Sequence, residues 1–250
     1  MEATALIYRM AAYLTHAPIP MPTAPRILIA GQPKAGTTHL HQRMLHLSGL
    51  PMATLVPAYG AREQELSELH LLRAADGGYI ACHHTRYSAF TGTLIHRFNL
   101  RTVVIVRNLL DVLVSTNDHL DNEGFGEGNP MGFLDPAHFL QRSREERLDT
   151  LIDMLAPWHI NFFLSWAMAP RKDILWAQYE TVFADPDQTI PDLLSQLGVQ
   201  PRPVKFHNTG GRLNVGRPGR GREQLSPAQI ERLYSFTRHY PGIDFSPIGL

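Results

Sequence analysis

The most constraining feature of the sequence is a short apolar run that leads directly into a glycine-bounded loop. Residues 26–39 read RILIAGQPKAGTTH, in which Gly31 and Gly36 enclose four residues, and apolar residues with helical spacing follow over 37–48. A strand, a glycine-bounded turn and a helix direct backbone N–H groups and the positive end of the helix toward one point, an arrangement that binds phosphate groups. We therefore predict an anion-binding loop between the first strand and the first helix of the core.

Three further runs are rich in β-branched or aromatic residues and have the length of strands. They cover 79–82, 102–106 and 173–177, in addition to the run at 26–30, and stretches with helical spacing separate them. Nearly continuous apolar strands that alternate with helices are typical of a parallel sheet covered on both faces. We predict an α/β fold of three layers, similar to that of P-loop NTPases, with a central parallel sheet flanked by helices.

Length and composition favour a single globular domain over residues 1–250. The chain has 250 residues, of which 44% are hydrophobic and 18% charged, so it can bury a full core. Residues 1–25 are expected to form a short helix at 4–15 and a proline-marked linker, and residues 26–250 to form the core. The 23 basic and 23 acidic residues balance, so any basic site must be local, and we expect no nucleic-acid partner.

Two features bear on where the protein acts. Cys82 is the only cysteine, which excludes an intramolecular disulfide and a cysteine-rich zinc site and fits a reducing compartment. The N-terminal stretch contains Arg9 and never sustains the ~20 apolar residues of a membrane span. We therefore expect a cytoplasmic protein without a membrane span.

Residues that directly follow the predicted strands are the first candidates for a binding site, because ligands of open parallel sheets bind outside the carboxyl ends of the strands. In this chain they are Gly31 to Thr38, His83 with His84, Arg107, and Tyr179 with Glu180. The set contains an anion-binding loop, a proton acceptor, a cation and an aromatic ring. Together these groups suit a nucleotide-like anion.

The loop departs from that of a magnesium-dependent NTPase. In such enzymes the last loop residue holds the metal together with an acid that follows a neighbouring strand, whereas here the corresponding strand ends in Arg107. A guanidinium group cannot ligate magnesium, but it can bind a phosphate through two hydrogen bonds. Lys34 adds a point charge inside the loop. We therefore expect an anionic ligand whose binding requires no metal ion.

A second motif, IVRNLLDVLVS, contains Arg107. Asn108 is expected to cap a helix, with Asp111 as the third helical residue completing a capping box. Ser115 lies about two turns into that helix, roughly 10 Å along its axis. Arg107 and Ser115 can then bracket one phosphate. The alternative is a surface arginine and a helix serine that bonds to its own backbone.

These motifs together resemble those of the sulfotransferases. QPKAGTTH is similar to the family's 5′-phosphosulfate loop PKSGTTW, and IVRNLLDVLVS to its 3′-phosphate motif, with arginine and serine at the family's spacing. ILWAQYETVFADP resembles the family's Leu-x-Tyr-Glu-Asp-Leu…Asp-Pro segment, and GRPGRGREQLSPAQ resembles its C-terminal loop rich in glycine and arginine. The matching pieces occur in order between residues 26 and 232.

The resemblance implies direct in-line transfer of a sulfuryl group from 3′-phosphoadenosine 5′-phosphosulfate (PAPS) to an acceptor hydroxyl or amine, leaving 3′,5′-adenosine bisphosphate (PAP). It also implies that the reaction requires no metal. It implies that four loop residues bind the 5′-phosphosulfate, namely Lys34, Gly36, Thr37 and Thr38. These residues would also stabilise the negative charge that develops during transfer. It assigns the 3′ phosphate to Arg107 and Ser115, and places Tyr179 beside the adenine. His39 stands where the family often has a tryptophan, and either lies beside the adenine or is exposed to solvent.

The catalytic base is expected at the end of the second strand. YIACHHT aligns His83 with the family's base, while Ala81 replaces a lysine. Histidine suits the role because its ordinary pKa lies near neutrality. His84 is the alternative at this position. Polysaccharide sulfotransferases instead use a glutamate from the segment that here contains Glu63, Glu65 and Glu68.

The stretch 193–222 contains no acid and six cations, which are Arg202, Lys205, Arg212, Arg217, Arg220 and Arg222. One interpretation is a solvated basic loop that binds nucleic acid weakly. The other is a loop that folds over the 3′ phosphate and brings Arg217 and Gly219 to it, which accounts better for the glycines.

Two alternatives to a sulfotransferase stay open. A nucleotide or small-molecule kinase would need a magnesium-binding acid where the chain has Arg107, and a nucleotide-binding protein of this fold would lack transfer activity. The acceptor, a small molecule or a glycan, is expected to contact residues 50–75 and 118–165. The glycine-rich loop at 121–132 is either a surface connection or a lid over the acceptor. The sequence leaves the oligomeric state open.

Overall fold

The computed structural model describes residues 23–57, 64–124, 134–204 and 217–250. Outside these ranges lie the predicted N-terminal helix with most of its linker, Glu63, most of the 121–132 loop, Lys205 and Arg212.

Four parallel strands form a sheet in the order β2-β1-β3-β4. β1 is Arg26–Gly31, β2 is Tyr79–His83, β3 is Leu100–Val106 and β4 is Leu175–Gln178. Each strand lies at a position predicted from the sequence, and the neighbouring strands pair in parallel. The predicted α/β fold with a central parallel sheet is confirmed.

Helices connect the strands and cover the sheet on both faces. In chain order they are α1 Thr37–Ser48, α2 Glu68–Ala74, α3 Ala89–Arg97, α4 Leu109–Glu123, α5 Pro136–Gln141, α6 Arg144–Met154, α7 Ala156–Ala167, α8 Tyr179–Ala184, α9 Pro186–Gln196, α10 Arg220–Gln224 and α11 Pro227–Thr237. A 3₁₀ turn follows at Ser246–Ile248. Across the described ranges, no helix is both long enough and apolar enough to cross a lipid bilayer.

Alternate residues of the strands pack into two apolar layers, one on each face of the sheet. Ile27 and Ile29 of β1 lie in one layer, together with residues of α1 and α9. Leu28 and Ala30 lie in the other, together with residues of α3, α4, α6 and α7. All four side chains are fully buried. Because successive side chains of a strand point to opposite faces, both layers depend on nearly continuous apolar strands.

α4 begins at the predicted cap but without the predicted capping box. The Asn108 side chain accepts a hydrogen bond from the N–H of Leu110. The N–H of Asn108, which a capping box would give to Asp111, is donated instead to Glu180 Oε1 at 3.1 Å. The prediction of a capping box is therefore wrong, because Glu180 at the start of α8 supplies the acceptor and the Asp111 carboxylate binds another part of the chain.

Candidate functional site at the carboxyl end of the sheet

The predicted anion-binding loop links β1 to α1. Gly36 precedes α1 with a φ of 76°, in the left-handed region that favours glycine, and no side chain caps the first turn. The N–H groups at the start of α1 are therefore not engaged by a capping side chain, as the binding of an anion there requires. Lys34 also has a positive φ, 64°, which is uncommon for a residue with a side chain and recurs in functional loops.

Arg107 holds this loop from the neighbouring strand. It follows β3, its Nη1 donates a hydrogen bond to the carbonyl oxygen of Lys34 at 3.1 Å, and its backbone N–H donates to Gln32 Oε1 at 2.9 Å. Its Nη2 lies 3.9 Å from Asp111 Oδ2, and only 6% of its side chain is exposed. The cation predicted at the end of β3 thus lies directly beside the loop.

An aromatic cluster lies against the Arg107 guanidinium. The guanidinium carbon is 4.2 Å from the centre of the Tyr179 ring. Tyr179 packs against Phe183 at 4.7 Å between ring centres, and Phe183 against His39 at 5.1 Å. A Cβ on Gly36 would approach Phe183 to 2.6 Å, so the loop comes this close only as glycine. Sequence reasoning missed Phe183, whose spacing of one helical turn from Tyr179 is the signal that points to it.

The Asp111 carboxylate joins α4 to the C-terminal segment rich in glycine and arginine. It accepts hydrogen bonds from the N–H of Gly219 at 2.8 Å and the N–H of Gly221 at 2.6 Å, and it is 2% exposed. A Cβ on Gly221 would overlap the backbone of Leu110, so only glycine lets α10 approach α4 this closely. Gly219 is therefore held beside the first turn of α4, which begins after Arg107.

Two other predicted residues lie at the margins of this arrangement. Ser115 is buried on α4, about two turns beyond Arg107. The Arg217 side chain is more than half exposed and pairs with Glu223 of α10. Arg220 of the same basic stretch pairs with an acid of α4, Asp118. In the part of this stretch that the structure describes, these two cations are therefore paired with carboxylates.

The two histidines at the end of β2 have different surroundings. His83 is 2% exposed, its Nε2 accepts a hydrogen bond from the N–H of Leu55 at 3.0 Å, and burial, reinforced by the nearby His84, lowers its pKa to about 3. A group with this pKa takes up protons poorly at neutral pH. These surroundings speak against the predicted role of His83 as base.

His84 is partly exposed and lies against the predicted anion-binding loop. Its Nδ1 is 2.7 Å from the carbonyl oxygen of Gly31, the last residue of β1. Because a carbonyl oxygen only accepts hydrogen bonds, Nδ1 carries the proton and Nε2 carries the lone pair. The backbone N–H of His84 donates to Gln64 Oε1 at 2.8 Å, which connects the histidine to a cavity of about 520 Å³. Residues that follow β2 and residues of α7 line that cavity. The acceptor ranges predicted from the sequence include its residues from α7 and residues 64–66, but not those that follow β2.

The remaining predicted residues lie at the start of α1, at the cavity and at the start of α2. Thr37 begins α1 and is buried, and Thr38 beside it is exposed. Glu65 is exposed at the cavity wall, and Glu68 begins α2. Among the residues with described positions, no three His, Cys, Asp or Glu side chains come together as a metal site would require. The expectation that transfer requires no metal stays a prediction.

The match to a known family decides what kind of protein this is. The sulfotransferase domain matches residues 24–209, well over half of the 250 residues. The chain belongs to the sulfotransferase family. This sulfotransferase is thus an enzyme, and its family implies PAPS as the sulfuryl donor.

A solved structure of a sulfotransferase resembles it in fold. Mouse sulfotransferase SULT7A1 complexed with PAP is 16% identical, with a TM-score of 0.57 over 87% of this chain and 85% of that chain. A sulfotransferase from Alicyclobacillus acidocaldarius is 15% identical, with a TM-score of 0.47 over 87% of this chain and 97% of that chain. No protein with a curated description matches the sequence.

Proposed function

We propose that this sulfotransferase moves the sulfuryl group of PAPS to a hydroxyl or amine of an acceptor by direct in-line transfer. One observation supports the proposal above all: Arg107 donates a hydrogen bond to the carbonyl of Lys34, so a fixed cation and the anion-binding loop meet at one point. A donor that carries a phosphosulfate and a separate phosphate needs two adjacent anion sites of this kind.

Lys34, Gly36, Thr37 and Thr38 would hold the 5′-phosphosulfate. The N–H groups at the start of α1 and the Lys34 ammonium group would neutralise charge at the oxygen between phosphorus and sulfur. When bound, the donor supplies a mixed anhydride whose leaving group is a phosphate. Because Arg107 holds the Lys34 carbonyl, the main chain of the loop is positioned before the reaction begins.

Arg107 and Ser115 would bind the 3′ phosphate, with Gly219 and Arg217 at its edge. Asp111 supports this arrangement because it anchors Gly219 to the first turn of α4. The Arg107 side chain is largely covered, so a phosphate reaches it only after neighbouring side chains move.

The cluster of Tyr179, Phe183 and His39 would lie beside the adenine. Burial, and then the charge of Arg43, lowers the pKa of His39, so its ring is neutral at pH 7 and suits an aromatic contact. Phe183 is then the ring that supports both of the others.

His84 is the best placed of the candidate bases. In the transfer, the acceptor oxygen bonds to sulfur as the bond from sulfur to the bridging oxygen breaks, and the electron pair leaves with the phosphate. The acceptor proton goes to His84 Nε2, which the hydrogen bond of Nδ1 to Gly31 leaves as the basic nitrogen. His83 stays the alternative, because a shift of the segment at Leu55 would uncover its Nε2.

The same proposal includes three coarser expectations. Residues 26–250 act as one catalytic unit, which the shared sheet and its two apolar layers support. Transfer proceeds without a metal ion, since Arg107 stands where a kinase of this fold needs a magnesium-binding acid. The enzyme acts in the cytoplasm, which its single cysteine supports.

A thermal-shift comparison tests the choice of donor. PAP without metal should raise the melting temperature more than ATP with magnesium does, because only PAP carries the 3′ phosphate that Arg107 would bind. Stabilisation by ATP and magnesium alone would instead favour a kinase. Stabilisation by PAP without any transfer from labelled PAPS, across hydroxyl and amine acceptors, would favour a nucleotide-binding protein that lacks activity.

A further inference from the structure

The segment that follows β2 and residues of α7 line a cavity of about 520 Å³. Arg86 and Tyr87 line it and follow His84 along the chain. Two residues span at most roughly 7 Å, so the wall at Arg86 lies within a small molecule's length of the proposed base. Gln64 joins the two places directly, because it lines the cavity and accepts the hydrogen bond of the His84 N–H. The volume is in the range of small-molecule sites.

α7 fixes this cavity relative to His84. Trp166 Nε1 donates a hydrogen bond to the carbonyl oxygen of Thr85 at 3.0 Å, and Ser165 Oγ accepts one from the N–H of Tyr87 at 3.0 Å. The Tyr87 and Trp166 rings also pack edge to face with their centres 5.4 Å apart. The segment that follows His84 is therefore joined to α7 by two hydrogen bonds and a ring contact.

Three large apolar or aromatic side chains of the wall are exposed. Phe90 is 55% exposed, Met168 64% and Tyr240 37%, and all three line the cavity. A ligand that covers these side chains removes apolar surface from water. The flexible thioether of Met168 can adapt to a ring system of varying shape.

The polar part of the wall has no net charge. Glu65 and Arg86 contribute one charge of each sign, and the Arg86 guanidinium lies 6.0 Å from the centre of the Trp158 ring. The other polar residues are neutral hydrogen-bonding groups, namely Gln64, Ser88, Thr91, Asn161 and Ser165. A sulfated or uronic-acid glycan would need several cations along its path, whereas this wall provides one.

We infer that the acceptor is an uncharged small molecule with an aromatic ring system, bound in this cavity with its hydroxyl toward His84. The ring system covers Phe90, Met168 and Tyr240, and its polar substituents bond to the amides and hydroxyls of the wall. The inference rests on the proposed function and adds the substrate class. Its hydroxyl proton passes to His84 Nε2 as the oxygen bonds to sulfur, and the electron pair of the broken bond leaves with PAP.

Transfer from labelled PAPS to three probes tests this choice of acceptor. The probes are 2-naphthol, an uncharged N-acetylglucosamine hexasaccharide and a sulfated heparan oligosaccharide. We expect transfer to 2-naphthol and little transfer to either glycan. Preference for a glycan over 2-naphthol, in a protein that binds PAP, would overturn the inference and leave the proposed function intact. If the wild-type protein does not bind PAP, the proposed function itself is contradicted.

Two variants locate the acceptor. Asn161→Trp fills the cavity from an exposed position of α7 and should raise the KM for 2-naphthol at least about tenfold, with the Kd for PAP unchanged. Phe90→Ala removes part of the apolar wall and should raise the same KM by roughly 3- to 10-fold without lowering kcat. The control is Gln196→Trp, which adds the same ring at an exposed end of α9, on the other face of the sheet. An unchanged KM in both cavity variants would place the acceptor elsewhere.

Discussion

His84 Nδ1 lies 2.7 Å from the carbonyl oxygen of Gly31, so the histidine that follows β2 is tied to the residue that opens the anion-binding loop. This contact places the ring proton on Nδ1 and leaves the lone pair on Nε2. His83, one residue earlier, points to the opposite face and is bonded to the N–H of Leu55. The proposed base and the proposed donor site are therefore connected through a single hydrogen bond.

His84→Ala should lower the transfer rate by roughly 10² to 10⁴, the range for loss of a general base, and should remove the fall of the rate at low pH. Donor affinity should hardly change. The measurement is a pH profile of the rate at saturating PAPS. His83→Ala is the matched control, expected to lose stability and to keep the pH profile. If His83→Ala loses the rate and the pH dependence while His84→Ala keeps both, His83 is the base. If only Glu65→Gln lowers the transfer rate, the base is a glutamate.

Lys34→Ala should reduce transfer by a factor on the order of 10² to 10³, the cost of removing one preorganised charge from the bridging oxygen. Single-turnover kinetics at saturating PAPS measures this directly. Lys172→Ala, at an exposed position before β4, is the control for loss of a lysine. A folded Lys34→Ala variant with near wild-type rates would show that the loop does not hold the phosphosulfate.

Arg107→Lys keeps a positive charge but loses the forked hydrogen bonds, so it should weaken PAP binding by about 1.5 to 3 kcal/mol. Adenosine 5′-phosphosulfate lacks the 3′ phosphate and should lose much less affinity in the variant, because for this ligand only the hydrogen bond that holds the Lys34 carbonyl is affected. Calorimetric titration of both ligands measures the difference. An equal loss for the two ligands would mean that Arg107 acts only through its hydrogen bond to the Lys34 carbonyl.

Gly221→Ala should destabilise the protein by about 1 to 3 kcal/mol, because the added Cβ overlaps the backbone of Leu110 and forces α10 away from α4. PAP affinity should fall with it, since Gly219 moves with α10. Urea unfolding and PAP titration measure the two effects. Gly77→Ala is the control, because a Cβ there meets nothing within 4 Å. Unchanged PAP affinity in a destabilised Gly221→Ala would remove the C-terminal segment from the donor site.

Stability should fall as the pH drops below 6.5, because two histidines are buried in the neutral form. Burial lowers the pKa of His159 to about 3, as it does for His83, from an ordinary value of 6.5. Below pH 6.5 the unfolded chain binds protons that the folded chain does not, so each histidine costs about 2 kcal/mol by pH 5 and its effect levels off near pH 3. Urea unfolding between pH 8 and pH 5 measures the loss.

His159→Met isolates one of these two terms. Both ring nitrogens of His159 are buried without a hydrogen-bond partner among the described residues, so an apolar side chain of similar size should keep or raise stability at pH 7. The acid loss should shrink by about 2 kcal/mol at pH 5. His239→Gln, at an exposed position, is the control and should leave the loss of stability at low pH unchanged. An unaltered pH dependence in His159→Met would mean that His159 is protonated in the folded protein.

The strand, loop and helix between Arg26 and Ser48 could be predicted because their determinants are local. Apolar runs of strand length, the glycines of the loop and the helical spacing after Thr37 are all read within a short window. The Asn108 cap was predictable for the same reason. The role of Asp111 was not, because the N–H groups that it binds lie 108 and 110 residues away in the chain.

The residue types of the site, from the loop lysine to the arginine after β3 and the histidines after β2, were settled by short-range patterns along the chain. Which of the two histidines contacts the end of β1, at the proposed donor loop, was decided only by the tertiary structure. A shift of one residue in the strand would exchange the faces to which His83 and His84 point. The sequence alone cannot exclude such a shift, because Ala81 replaces the lysine of the family's motif and leaves the alignment of the two histidines open. Tertiary contacts decide the orientation of the two rings. His83 accepts a hydrogen bond from the N–H of Leu55, and His84 donates one to the carbonyl oxygen of Gly31, two groups that are distant from each other in sequence.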